Sequence, residues 1–174
     1  MRPIEKLSIY QDNVWGNIDL DDLAKDIIDT PEFQRLDKIH QLSFSYYVYR
    51  GAKHTRFEHS IGVYHITKRI FNEVLYNHAR LGINFPKKDI SKSFGTEDSE
   101  IIQVIKEIVS IAGLLHDITH IPFGHSLEDE FSVYKKHDAV DSLRLWYLMF
   151  DKNSEIRNKV VEKKEIYVKD ISNT

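Results

Sequence analysis

Two stretches of this chain return their apolar residues at steps of three and four, and each carries a histidine in line with its stripe. In the first, Val63, Ile66, Ile70 and Val74 share one helical face, and His59 lies four residues ahead of Val63 on that face. In the second the stripe is Ile101, Ile105, Ile108, Ala112 and Leu115. His116 continues the series Ile105, Val109, Ala112, and Asp117 follows at once. Stripes this long suit helices and not strands. With only 7 Gly and 4 Pro in 174 residues, turn signals are few. The spacing predicts long helices over about 57–80 and 97–117 and an all-α fold.

Shorter patterns fill the rest. Residues 19–29 read as a helix with Leu20, Leu23, Ile27 and Ile28 on one side. Thr30-Pro31 reads as an N-cap followed by proline at the first helical position, opening a helix through Phe33, Leu36, Ile39 and His40. Residues 45–50, SYYVYR, are aromatic and β-branched and predict a small extended or hairpin segment near 45–55. Residues 81–98 read as a surface connection, and 137–150 as a further helix. One domain over 1–150 followed by a charged tail over 151–174 is the expected organisation.

Composition removes several function classes. There are no cysteines, so a disulfide scaffold, a thiolate metal site and a cysteine nucleophile are all excluded. Lys plus Arg is 24 against 27 for Asp plus Glu, a net charge of −3, so a strongly basic nucleic-acid binder is disfavoured. No apolar run reaches the roughly 18 residues of a membrane span, and the N-terminus carries no signal-peptide pattern. An intracellular, cytoplasmic protein is expected, with a nuclear location open for a eukaryotic source. No glycine-rich phosphate loop and no HExxH pair is present.

Nine histidines remain to be explained, four of them between 116 and 137. A lone inward histidine is ordinarily a core residue bonded to a backbone carbonyl. Two on separate core helices, one followed by an aspartate, are expensive to bury without a compensating charge. Imidazole nitrogen with carboxylate oxygen suits a divalent ion such as Mn, Fe, Ni or Zn, and Mg less well. His59, His116 and Asp117 are the candidate metal ligands. His120 lies one helical turn beyond His116, and His125, Glu128 and His137 follow the Pro122–Gly124 break. Titratable groups beside a metal are what hydrolysis requires, one to handle water and one to protonate a leaving oxygen. For His125 and His137 an inert, exposed position is an equally good reading. Arg56, three residues before His59, could hold phosphate at a helix start or be merely solvated.

Read together, DTPEFQRLDKIHQL at 29–42, YYVYRGAKHTRFEHSIGV at 46–63 and IAGLLHDITHIPFGHSLEDE at 111–130 resemble the HD-domain phosphohydrolases. The branch they resemble is the SAM-and-HD-domain deoxynucleoside triphosphate triphosphohydrolases. The resemblance implies an HD-domain helical bundle. It implies one divalent metal on His59, His116 and Asp117, and catalytic roles for His120, His125, Glu128 and His137. It implies that Arg56 meets the substrate phosphates and that Gln41 and Leu42 lie against the deoxyribose. A deoxynucleotide substrate and a homo-oligomer follow from the same resemblance.

The sequence also departs from that pattern. Glu128 stands where the family more often has aspartate. The chain stops before the helix that carries the family's second metal-binding aspartate; Asp138, Asp141 and Asp151 sit in no matching motif. At the family's regulatory nucleotide site Asp29 is kept, but Asp37 stands where animal relatives carry arginine. The expected reaction is cleavage of deoxynucleoside triphosphates to deoxynucleoside and triphosphate. The alternatives are an HD-type nucleotidase acting on monophosphates and a nucleotide-binding or oligomerising relative without turnover.

Overall fold

The computed structural model describes residues 8–83, 85, 90, 100–123, 127, 132 and 137–172, with backbone alone for 137–142 and 164–172. Two compact units are present, one made of Met1–His59 with Asp117–Thr174 and the other of Ser60–His116.

In the first unit, β1 (Ser8–Asp12) pairs antiparallel with β2 (Gly16–Leu20), Ser8 facing Leu20 and Asp12 facing Gly16. The turn is built by Asp12, whose Oδ1 accepts from the amides of Val14 and Trp15 at 2.7 and 2.8 Å. Gly16 closes it in the left-handed region (φ 72°), where a side chain would be strained. Alternate residues Ile18 and Leu20 are buried, so the hairpin lays one face on the core. The sequence expectation put the extended segment near 45–55. The structure instead has a 3-10 turn at Ser43–Tyr47 there, and only the isolated bridge His40–Thr55 is extended pairing. β propensity without a partner strand does not make a sheet.

Asp21 caps α1 (Asp22–Ile28) by accepting from Ala24 N, and Thr30 caps α2 (Pro31–Gln34) by accepting from Phe33 N. Thr30-Pro31 therefore does what its sequence predicts, but the helix it opens gives way to a 3-10 turn, Arg35–Lys38, before Ile39. Leu23, Ala24, Ile27, Ile28, Phe33 and Leu36 supply the core here. The first unit also holds α5 (His137–Phe150), over the predicted range, and α6 (Glu155–Ser172). The stretch expected to be a charged tail is thus helical. Ile156 is fully buried, α6 lies against α1 and α2, and Glu155 N donates to Glu32 Oε1 at 2.7 Å.

The second unit contains most of α3 (Arg56–Arg80) and α4 (Ile101–Leu115). Both helices fall where the stripes predict them, but the buried residues are shifted. Ile61 and Tyr64 on α3 and Ile101, Leu114 and Leu115 on α4 are buried, whereas Ile70, Val74 and Ile108 are exposed. Ala112 is exposed too. Gly113 on α4 lets the two helices approach: a Cβ there would lie 2.8 Å from Thr67 Oγ1. Among the described residues no helix is long and apolar enough to cross a membrane.

Candidate metal centre

The motif around residue 56 folds as a capping box. Thr55 N donates to Glu58 Oε2 at 2.7 Å, and Glu58 N to Thr55 Oγ1 at 3.4 Å, so each satisfies the other's first-turn amide. The T-x-x-E spacing at 55–58 carries that signal in the sequence. Arg56 N donates to Ile39 O at 2.9 Å, and Gln41 N to His54 O at 3.1 Å. The start of α3 is thereby fixed, and with it the Arg56 side chain on its first turn and His59 one turn on.

At the end of α4 the His116 ring bonds through Nδ1 to Gly113 O at 2.8 Å. With Nδ1–H donated to a carbonyl, Nε2 is the basic nitrogen of that ring. Asp117 follows and is buried at 6% exposure. One nitrogen of His59, one of His116 and one carboxylate oxygen of Asp117 all lie within 4.8 Å of one another. Two imidazoles and a carboxylate, with one imidazole already oriented by a carbonyl, fit a divalent transition metal by donor chemistry. All three ligands were expected to point inward. Asp117 does, but the His59 side chain is 35% exposed and His116 is exposed. The open side supplies the entry path that an ion needs.

Asp117 is the hub. Arg56 Nη1 donates to its Oδ2 at 2.6 Å, the two side chains being 3% and 8% exposed. His59 Nε2 stands 3.7 Å from the same oxygen, and His120 Nε2 stands 3.3 Å from Oδ1. The backbone turns tightly here, with His120 N donating to Asp117 O at 3.1 Å. Arg56 is therefore not a solvated charge but a buried partner of the aspartate.

Arg35 was not singled out from the sequence. Its guanidinium donates to the carbonyls of Ile118 and His120, the latter at 2.8 Å, and so clamps the turn after Asp117. Burial lowers its pKa from the ordinary value. An arginine in FQRL gives no sign in sequence that its partners are carbonyls some 80 positions away.

Among the remaining candidates, Leu42 is exposed and Gln41 half-buried. The Gln41 Oε1 is buried without a protein partner among the described residues. His125 and Glu128 lie outside the described residues, and so does the side chain of His137.

The chain is 33% identical over 177 residues to the HD domain-containing protein L394 of Acanthamoeba polyphaga mimivirus, which covers 99% of this chain and 37% of that protein. It is 38% identical over 128 residues to deoxynucleoside triphosphate triphosphohydrolase SAMHD1 of Homo sapiens (74% of this chain, 18% of that one). Protein YwfO of Bacillus subtilis is 38% identical over 133 residues (74% and 26%). The chain thus spans little more than a third of the first of these relatives and less than a fifth of the second. The HD domain profile matches residues 56–167, from the capped start of α3 through most of α6. With well over half of its residues inside that match, the chain belongs to the HD domain family.

Proposed function

We propose that this chain is a metal-dependent phosphohydrolase acting on deoxynucleoside triphosphates, releasing deoxynucleoside and triphosphate. The observation that carries the reading is the convergence of His59, His116 and Asp117, with Arg56 and His120 on the same carboxylate. Similarity to deoxynucleoside triphosphate triphosphohydrolase SAMHD1 over 74% of the chain supports the substrate class.

In this reading His59, His116 and Asp117 would hold one divalent ion, which would supply Lewis acidity toward phosphate oxygen and water. Arg56 neutralises Asp117 and fixes which of its oxygens faces His59. His120 supplies a proton to the leaving 5′-oxygen, its ring oriented by Asp117 Oδ1. Gln41 and Leu42 border the sugar, and His125, Glu128 and His137 serve the proton transfer. Without charge on the leaving oxygen being quenched, deoxynucleoside would be a poor leaving group, so this proton carries much of the catalysis.

Self-association belongs to the proposal. Leu143, Trp146, Tyr147 and Phe150 stand at i, i+3, i+4 and i+7 on α5 and are 54%, 51%, 62% and 63% exposed, a helical stripe that a second copy would cover.

The test is product analysis. The chain is incubated with each deoxynucleoside triphosphate and Mn2+, Fe2+ or Mg2+, and products are separated by ion exchange. Deoxynucleoside with intact triphosphate is expected. Inorganic phosphate from monophosphates alone would replace the reading with a nucleotidase, and no product with any metal would leave a binding protein.

A further inference from the structure

An unusual aromatic array stands on the chain segments that lead to Asp117. Phe44 and Phe123 stack with centroids 4.4 Å apart and planes 12° from parallel, and Tyr47 stacks on Phe44 at 6.3 Å and 26°. Stacked phenylalanines are ordinarily core residues. Here Phe44 is 51% exposed and Phe123 39%.

The backbone is bent to hold them. Phe123 itself adopts a left-handed conformation (φ 61°), and so does Ser43, next to Phe44 (φ 47°). A bulky residue there is an outlier that the surroundings must enforce, and such outliers gather at ligand sites. Both arms lead back to the same carboxylate. Phe123 lies three residues past His120, which touches Asp117. Phe44 follows the 39–41 strip that pairs with 54–56, and Arg56 of that strip holds Asp117. The last residue of that strip is Gln41, with a buried amide oxygen that no described protein group meets. An unmatched buried acceptor costs stability unless a ligand or water supplies its donor.

We propose that Phe44 and Phe123 form a stacking platform for the base of a nucleotide whose phosphates lie at the metal centre. The proposal rests on the nucleotide reading above and adds the part of the ligand that the metal centre cannot recognise. Every base has a π-face, so the platform favours any nucleotide over bare polyphosphate and discriminates weakly among bases.

The experiment measures binding of 2-aminopurine deoxynucleoside triphosphate, whose fluorescence falls when the base stacks, with Mn2+ present and the full chain used. Phe44→Leu and Phe123→Leu keep apolar bulk but lose the aromatic face; Phe44→Trp keeps both, and melting curves check that each variant folds. Quenching is expected on binding to the parent. Each leucine variant is expected to raise Kd about tenfold and remove most of the quenching, while Phe44→Trp retains both. Competition by inorganic tripolyphosphate is expected to stay within twofold in all variants. Unchanged nucleotide Kd and quenching in both folded leucine variants would overturn the platform and leave the nucleotide reading standing. So would equal losses for nucleotide and tripolyphosphate, since the stack would then only position the phosphate site. If the parent binds tripolyphosphate but not the nucleotide, the nucleotide reading fails and the platform with it.

Discussion

Replacing Arg56 by Gln should destabilise the protein far more than loss of an ordinary arginine. The Arg56–Asp117 pair is 2.6 Å long, and its side chains are 3% and 8% exposed. Removing one member of such a pair strands the other as a buried charge, at a cost of about 3–5 kcal/mol, whereas an exposed pair is worth about 0–1. For a chain of this size each kcal/mol moves Tm by roughly 2–4 °C, so a fall of roughly 6–20 °C is expected. Melting in chelator, followed by far-ultraviolet circular dichroism, measures it. Replacing both partners by apolar residues (Arg56→Met with Asp117→Leu) should recover most of the loss, because the desolvation of both charges is then avoided. Recovery stays incomplete, since His120 Nε2 loses the carboxylate 3.3 Å away. A single-variant loss below about 1 kcal/mol, the level of a surface pair, would refute the reasoning. So would a double variant no more stable than the single.

Gly113→Ala should destabilise the second unit. The new Cβ would meet Thr67 Oγ1 at 2.8 Å, and that hydroxyl is held by its bond to Val63 O at 2.7 Å. Overpacking costs roughly 1–3 kcal/mol and helix propensity returns about 1, so a net loss of up to about 2 kcal/mol is expected in urea unfolding. Adding Thr67→Ala should restore stability, and no recovery would count against the contact. Lys106 has its pKa lowered from 10.5, by burial first and then by Lys68. The unfolded chain therefore binds more protons than the folded one between the two values, and stability should rise as pH climbs through that window toward 10.5. Lys106→Met should raise Tm at neutral pH and flatten that alkaline rise; a Tm that falls would contradict it. Desalted Asp117→Ala should carry no Mn2+, whereas His120→Ala should retain it with turnover abolished, as read by metal analysis and product chromatography. Equal metal content in the two variants would remove Asp117 from the ligand set.

Much of the candidate metal centre could be read from the chain because its residues are local to helix ends. His116 and Asp117 are adjacent, and His59 sits one turn into a helix whose T-x-x-E start is written at 55–58. Arg56 was placed on the correct helix turn, but nothing in RFEHS says that Asp117, 61 positions on, will be its partner. The Arg35 clamp was invisible for the same reason: backbone carbonyls leave no trace in sequence. The stack of Phe44 on Phe123 joins a short 3-10 turn to the turn after His120, and neither is long enough to show a period from which a facing residue can be inferred.

The sequence by itself determined the long helices, the Thr30-Pro31 start, the range of α5 and the histidine–aspartate cluster, because periodicity, capping and motif spacing are local properties. It did not determine which face each helix would bury. α3 offers Ile61 and Tyr64 beside Val63, Ile66, Ile70 and Val74, and both sets fit a helical period. Ile61 and Tyr64 are covered while Ile70 and Val74 stay exposed. The hairpin at 8–20 in place of an extended 45–55, the helix over 155–172 and the pairing of Arg56 with Asp117 were likewise settled in three dimensions. A strand needs a neighbour, a charged helix needs one face to bury, and a buried charge needs its opposite, and each of those partners lies far away along the chain.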